Sequence, residues 1–359
     1  MVALKQLPDP IAEAFANQAT ACESLGSPFT ATICRLAAQH GLPVGKTQSR
    51  VASWTGDPHG TGTAVALRLT GALHNIVLKG ADDELAEAYP PKDWTEATLN
   101  AAVFSAFERH DKTICAFLES PPQTNETGRS AALLPAFLQL ANRHDMPMEL
   151  LELGASAGLN QNLALFHYNY GDWSWGNPTS PLQLACQWRG RPFQYSDQQL
   201  HIVSRSGCDI SPVAISTEED RIHLTSYVWP DQPKRLQRMK AALCLAQSNP
   251  PTVDKSSAAD WLEHKLQMSH ATGLWRVIFH TIMWQYMPAK EQQRARALIE
   301  EAGKRATRQS PLGWVRLEAD GEKGSAGLYV TVWNGSDDDG RDRLLGRGDF
   351  HGRWIEWFA

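Results

Sequence analysis

The six cysteines (Cys22, Cys34, Cys115, Cys186, Cys208 and Cys244) contain no C-x-x-C pair. That excludes a zinc ribbon and a dithiol redox motif, and a chain of 359 residues does not need disulfide staples. The cysteines read as small buried hydrophobes in a reducing compartment. No stretch is long and apolar enough to cross a bilayer, so no membrane partner is expected. The opening "MVALKQLPDPIAEAF" lacks the basic region and apolar run of a secretory leader, and a cytoplasmic location is expected. There is no basic excess: the formal net charge of −5 offers no global attraction to phosphate backbones. Nor do the twelve histidines form an H-x-x-x-H pairing with nearby acids, so no metal site is expected.

What is present is ordinary for a globular protein, with 42% hydrophobic and 20% charged residues. The length is comfortable for two domains. Tryptophan is uneven: of thirteen, only Trp54 and Trp94 precede residue 150. Residues 1–146 read as a helical amino-terminal region. In "TAVALRLTGALHNIVLKGADDELAEAY", Leu69, Leu73, Ile76 and Val77 share one helical face. "WTEATLNAAVFSAFERHDKTICAFL" and "GRSAALLPAFLQLANRH" continue the pattern, separated by a polar, proline-containing loop "ESPPQTNETG". No convincing strand occurs there, and no internal repeat.

From Met148 the texture changes. "MELLEL" reads as a strand and "LNQNLALFHYNYG" as a helix, with "PLQLACQWRGRPFQY" as an inserted hairpin. "HIVSRSGCDI" and "LWRVIFHTIMW" read as strands, with helices "PDQPKRLQRMKAALCLAQ" and "AKEQQRARALIEEAGKRA" after them. A short strand, a loop and a helix fit "PTVDKSSAADWLEHKLQ". "LGWVRLEAD", "GLYVTVWNG" and "GRWIEWFA" look like three closing strands. Strand–helix alternation favours a mainly parallel sheet, and the helix-free end suggests an antiparallel hairpin. Residues 147–359 are expected to form this second domain.

"LELGASAGLN" (151–160) supports two chemistries. As G-x-S-x-G it is a nucleophile elbow with Ser156 attacking a carbonyl. As E-x-G-x-S-x-G it is a glycine-rich turn between a strand and a helix, suited to a nucleotide-like ligand. Glycine at 154 and 158 lets the turn tighten and lets backbone amides approach a ligand. Glu152 ends an apolar strand, where a charge is costly without a donor or a cation to face. The elbow needs several strands before it, whereas the preceding chain looks helical. A purely structural strand-to-helix connection is the third possibility.

The order after this turn, with Glu152, Gly154, Ser156 and Gly158 in place, resembles the class I S-adenosylmethionine-dependent methyltransferase core. That core is a Rossmann-like, seven-stranded sheet ending in an antiparallel hairpin, so an α/β fold with a helical amino-terminal region is expected. "QTNETGRSAALLPAF", "LELGASAGLN", "YVWPDQP" and "FHTIMWQYMP" together also resemble a bacterial family of uncharacterised proteins, a domain of unknown function. The methyltransferase resemblance implies S-adenosylmethionine as cofactor, held by Glu152, Gly154, Ser156, Gly158 and Asn160. Asp209 matches the acid that grips the ribose hydroxyls, with a turn residue as its alternative. Ser257 and Ala258 stand where an acid and a small residue usually flank the adenine.

Ligands of such sheets sit beyond the carboxyl ends of the strands, where strand order reverses. His280, Trp284, Gln285 and Tyr286 would then lie near the transferring group. His280 is the candidate general base, with Tyr286 beside it, and Trp284 and Gln285 would contact the substrate. The competing reading for His280 is a hydrogen-bonded core histidine. Gln123, Asn125, Glu126 and Arg129 are candidates for an acceptor pocket, against a helix cap formed by Thr124 or Asn125. The D/N-P-P-Y motif of nucleobase amino-methylating enzymes is absent, so the expected partner is a small molecule and not nucleic acid. A non-catalytic nucleotide- or metabolite-binding protein on the same fold is the first alternative, and a serine hydrolase using Ser156 the second.

Overall fold

The computed structural model describes residues 3–123 and 125–359. These fall into two compact units, residues 1–124 with 215–237, and residues 125–214 with 238–359. The first boundary therefore precedes the helix "GRSAALLPAFLQLANRH" instead of following it, and a later segment belongs with the first unit.

The first unit is built on helices. β1 (Leu4–Lys5) and β2 (Leu42–Pro43) make only a minimal antiparallel pair. The helices are α1 (Asp9–Ser24), α2 (Pro28–His40), α3 (Lys46–Ala52), α4 (Val65–Leu78), α5 (Asp83–Glu87) and α6 (Glu96–Phe117). α2 opens with Pro28, whose missing N–H costs nothing in a first turn, and stops at Gly41, where φ is +76°. In α6 a capping box joins Thr95 and Thr98, and Leu99, Ala102, Val103, Ala106 and Phe107 supply the buried stripe. Leu69, Leu73 and Ile76 of α4 are buried as their spacing predicted.

The second unit starts with a 3₁₀ turn at Thr127–Arg129 and α7 (Ser130–Arg143), which is apolar nearly all round. Pro135 lies inside α7 and cannot donate to the carbonyl of Ala131; Tyr170 Oη donates to that oxygen instead, at 2.7 Å. β3 (Met148–Leu153) follows, then the glycine turn and a 3₁₀ helix, Leu159–Leu165. β4 (His167–Asn169), β5 (Ser174–Trp175) and β6 (Gln183–Ala185) form a small three-stranded sheet. β7 (Gln187–Gly190) and β8 (Ile202–Asp209) come next, then α8 (Glu218–Thr225), which lies in the first unit's segment. The remaining elements are α9 (Pro233–Ser248), β9 (Val253–Lys255), α10 (Ala258–Gln267), β10 (Trp275–Thr281), α11 (Ala289–Lys304), β11 (Leu312–Glu318), β12 (Ala326–Trp333), β13 (Arg343–Gly348) and β14 (Trp354–Trp357).

The main sheet has nine strands in the order β7-β14-β13-β12-β11-β10-β3-β8-β9. Neighbours from β9 through β11 are parallel, whereas β11 to β14 form an antiparallel meander. β7 then adds parallel to β14 at the edge. β10 and β11 are buried almost throughout, as expected of central parallel strands covered on both faces. On one face Leu312 and Trp314 join α10 and α11 in a core with Trp261, Ala295 and Ile299. On the other, Gly313 lies against Leu140 of α7, and Phe137 meets Phe279 edge-on at 5.6 Å.

Four expectations need correcting. The sheet has nine strands instead of seven, and its end is a four-strand meander instead of a hairpin. β13, in "DRLLGRG", carries arginines and glycines that dilute its apolar pattern. "LNQNLALFHYNYG" is a 3₁₀ helix followed by a strand, because three consecutive polar amides leave no amphipathic stripe for an α-helix. "LQLACQWRG" places β6 and β7 in different sheets.

Candidate functional site at the carboxyl ends of the parallel strands

Strand order reverses between β3 and β10, and the glycine turn lies at the carboxyl end of β3. Gly154, Ser156 and Gly158 have φ of +62°, +54° and +75°. Glycine is also forced by packing: a Cβ on Gly154 would come within 2.8 Å of Met283, and one on Gly158 within 2.7 Å of Pro251. Ser156 accepts a left-handed backbone that glycine would adopt without strain. Its N–H donates to Asp209 Oδ2 at 2.8 Å, while Oδ1 accepts from Ser211 N at 2.8 Å. Asp209 thus braces the turn, and each carboxylate oxygen keeps a second lone pair.

Glu152 is 3% exposed. Its carboxyl group meets the side chains of Gln161 and Asn160, and Oε2 has no hydrogen-bond partner. Burial, reinforced by the charge of Asp209, pushes its pKa up to about 8 against the pull of the two amides. At neutral pH Glu152 is therefore mainly a neutral acid at the root of the turn. The Ser156 hydroxyl is also buried without a partner. Among the described residues no histidine bonds it, so a nucleophile–base pair is not assembled there.

Behind the turn, Asn160, Gln161 and Asn162 are all buried. Gln161 donates to Thr252 O at 3.1 Å and accepts from Thr252 N at 3.2 Å, tying the 3₁₀ helix to the entry of β9. Asn160 Oδ1 accepts from Ser130 Oγ at 2.8 Å. Composition alone does not single out Gln161; its signal is a long amide three residues after Gly158, in a run of three polar residues.

The loop before α7 meets the turn as a brace. Asn125 has φ of +33°, and its Oδ1 accepts the N–H of Leu159 at 2.9 Å, which is a cap on the 3₁₀ helix. Glu126 accepts from Gly128 N at 3.0 Å and pairs with Arg238 at 3.3 Å. Arg129 donates to the carbonyls of Phe350 and Thr281. These three side chains hold loops together instead of lining an acceptor pocket. Gln123 belongs to the other compact unit, and Thr124 lies outside the described residues. Ser257 caps α10 by accepting from Asp260 N at 3.2 Å, and Ala258 is buried in that helix's first turn. The carbonyl of Asp209 accepts from Ser256 N at 3.0 Å, which sets this loop beside the turn.

At the end of β10, His280 is 1% exposed. Trp314 Nε1 donates to its Nε2 at 3.1 Å, so Nδ1 carries the proton and donates to Glu318 Oε1 at 2.7 Å. Burial holds the ring below its ordinary pKa against the opposing pull of Glu318. With both nitrogens committed, His280 is a hydrogen-bonded core histidine and not a free base. Trp284 stacks on it at 5.0 Å. Glu318, which the sequence pattern left among ordinary strand residues, also accepts from the amides of Met283 and Trp284. It thereby fixes a strand exit in which Ile282 takes φ of +49°, a strained value for a β-branched residue. Gln285 is exposed and Tyr286 is 53% exposed, away from any hydrogen-bonded constellation with His280.

A mixed α/β sheet whose parallel half reverses order beside a left-handed, acid-braced turn defines the class of protein. The chain belongs to the family described as "Uncharacterized protein conserved in bacteria (DUF2332)", whose model matches residues 12–357. That match spans both compact units. No curated protein matches the sequence. Among the described residues no helix is long and apolar enough to cross a membrane, and no group of three His, Cys, Asp or Glu is placed to hold a metal ion.

Proposed function

We propose that the second unit binds S-adenosylmethionine at the glycine turn and is a Rossmann-like methyltransferase acting on a small molecule. The observation that carries this reading is the pair of buried, unpartnered oxygens, Glu152 Oε2 and Ser156 Oγ, at the point where strand order reverses. Native proteins rarely leave such atoms unsatisfied, and a polar ligand supplies the missing partners. The parallel order β9-β8-β3-β10-β11 supports it, since ligands of open α/β sheets sit at such reversals.

The residues present fit the group. Asp209 keeps lone pairs for a diol, Glu152 Oε2 can meet a hydrogen-bonding group, and Gly154 and Gly158 keep side chains out of the turn. When bound, the cofactor supplies an electrophilic methyl group. The protein's part is to position the acceptor, since His280 has no free nitrogen to take a proton. That favours an acceptor which is already nucleophilic at neutral pH. The engagement of His280 also supports a second reading, a ligand-binding protein without catalysis. Calorimetric titration of the whole protein with S-adenosylmethionine and with its demethylated product tests the proposal. Saturable binding, lost in Glu152→Ala and Asp209→Ala variants that still fold, is expected. Absence of binding to either compound, or labelling of Ser156 by a serine-directed phosphonate, would overturn it.

A further inference from the structure

A second polar cleft lies at the other end of the main sheet. Asn334 follows β12, whose last residue Trp333 pairs with Leu312 at the amino end of β11, away from the glycine turn. A cleft of about 390 Å³ there is lined by His144, Thr307, Arg308, Asn334 and Ser336. Arg143 lines a groove beside it that shares Ser336. All of these residues belong to the second unit.

The lining of this cleft carries Arg308 and no acid. The side chains of Arg143 and Arg308 make no ion pair or hydrogen bond among the described residues. The acids of the neighbouring loop are already used. Asp339 accepts the backbone N–H groups of Asn334, Gly335 and Ser336 at 2.8, 2.8 and 3.2 Å. Asp338 pairs with Arg343 and, at 3.7 Å, with Arg341. Asp337 lines neither groove.

His144 is fixed in place. Its carbonyl accepts from Trp275 Nε1 at 3.2 Å, its ring packs on that indole at 5.7 Å, and its Nε2 accepts from Asn334 Nδ2 at 3.0 Å. Burial, then the charges of Arg308 and Arg143, holds the imidazole below its ordinary pKa. Asn334 Oδ1 is buried and unpartnered. Protonation of His144 would let the amide turn over, so that Oδ1 accepts from Nε2–H and the NH₂ faces the cleft as a donor.

We propose that this cleft binds a small multivalent oxyanion, the phosphate or carboxylate group of a metabolite, at Arg308 and His144, with Arg143 reaching it from the adjoining groove. Such a ligand pairs with two guanidinium groups that have no acid partner and takes up the Asn334 amide once it has turned over. Guanidinium forks suit planar or tetrahedral oxyanions. The site is separate from the glycine turn and does not depend on the function proposed for it.

The test is calorimetric titration of the full chain with inorganic phosphate and with citrate, against sodium chloride at matched ionic strength. Saturable binding of either oxyanion is expected, weakened at least about tenfold in an Arg143→Ala/Arg308→Ala double variant. Both positions are exposed, and an unchanged circular-dichroism melt confirms that the variant folds. Read with sulfate, which does not titrate in this range, affinity rises as pH falls below neutrality, and this slope is lost in His144→Gln. Heats no greater than those of chloride, or binding unchanged in the double variant, would overturn the proposal.

Discussion

The carboxylate of Asp209 accepts the backbone N–H of Ser156 at 2.8 Å, locking the end of β8 to the glycine turn after β3. The same side chain accepts from Ser211 N with its other oxygen. Asp209→Ala removes both acceptors and leaves two amides to find water. A loss of roughly 1–3 kcal/mol is expected, read as a lower melting temperature. If Asp209 also grips a ligand diol, the variant loses S-adenosylmethionine binding at temperatures where circular dichroism shows it folded. Retained binding would assign Asp209 to bracing alone.

Glu152 makes stability fall as pH rises. Its pKa is near 4.5 in the unfolded chain and about 8 in the fold. Between those values the native state holds a proton that the unfolded state has released. Its contribution is complete below about pH 4.5 and drains away up to about pH 8, at no more than roughly 1.4 kcal/mol per pH unit. Glu152→Gln removes this slope, so the melting temperature of the variant declines less from pH 5 to 8. Parallel curves for both proteins would contradict the assignment.

His74 acts in the opposite direction, within the first unit. Its Nδ1 donates to Ser226 O at 3.1 Å, and burial lowers its pKa to about 4. As pH falls below about 6.5 the unfolded chain takes up a proton that the native ring refuses, so stability is lost toward pH 4. Roughly 3 kcal/mol is at stake over that window. His74→Gln should soften the acid limb of a denaturant-midpoint profile measured from pH 7 to pH 4.

Asn125 carries two costs at once, a left-handed backbone and the cap on Leu159. Alanine tolerates the backbone less well and cannot accept the N–H. Asn125→Ala should destabilise by about 1–2 kcal/mol in chemical denaturation, with Asn125→Asp recovering most of it. An unchanged midpoint in the alanine variant would show that the cap is not formed in solution.

Glu318 and His280 form a single unit with Trp314. Glu318→Ala strands a buried imidazole N–H and the amides of Met283 and Trp284. A loss of about 1–3 kcal/mol for each donor left buried without a partner is expected. His280→Phe removes the imidazole but keeps a ring to stack on Trp284, and it should cost less. If the proposed methyl transfer is measured, its survival in a folded His280→Phe protein would separate positioning from base catalysis.

Much of this was legible in local pattern. The α4 face, the central strands "VIFH" and "WVRLE" and the turn glycines follow from periodicity, continuous burial and backbone freedom. The site was legible only as a list of residue types. Glu152 stood out because a charge ended an apolar run. Glu318 did not, because its partners come from β10 and from the turn after it, far away in sequence. Asn125 and Arg129 looked like ligand-facing polar residues, since nothing local announces that Leu159, Phe350 and Thr281 would consume their hydrogen bonds.

The sequence by itself determined the helical first part, the buried parallel strands and the left-handed turn, because each depends on side-chain spacing or on φ within a few residues. Tertiary structure alone decided the number and order of the nine strands, the commitment of both His280 nitrogens and the orphaned oxygens of Glu152 and Ser156. The reason is physical: pairing and burial are relations between distant segments, and desolvation gives a polar atom its value only once the surrounding chain has closed over it.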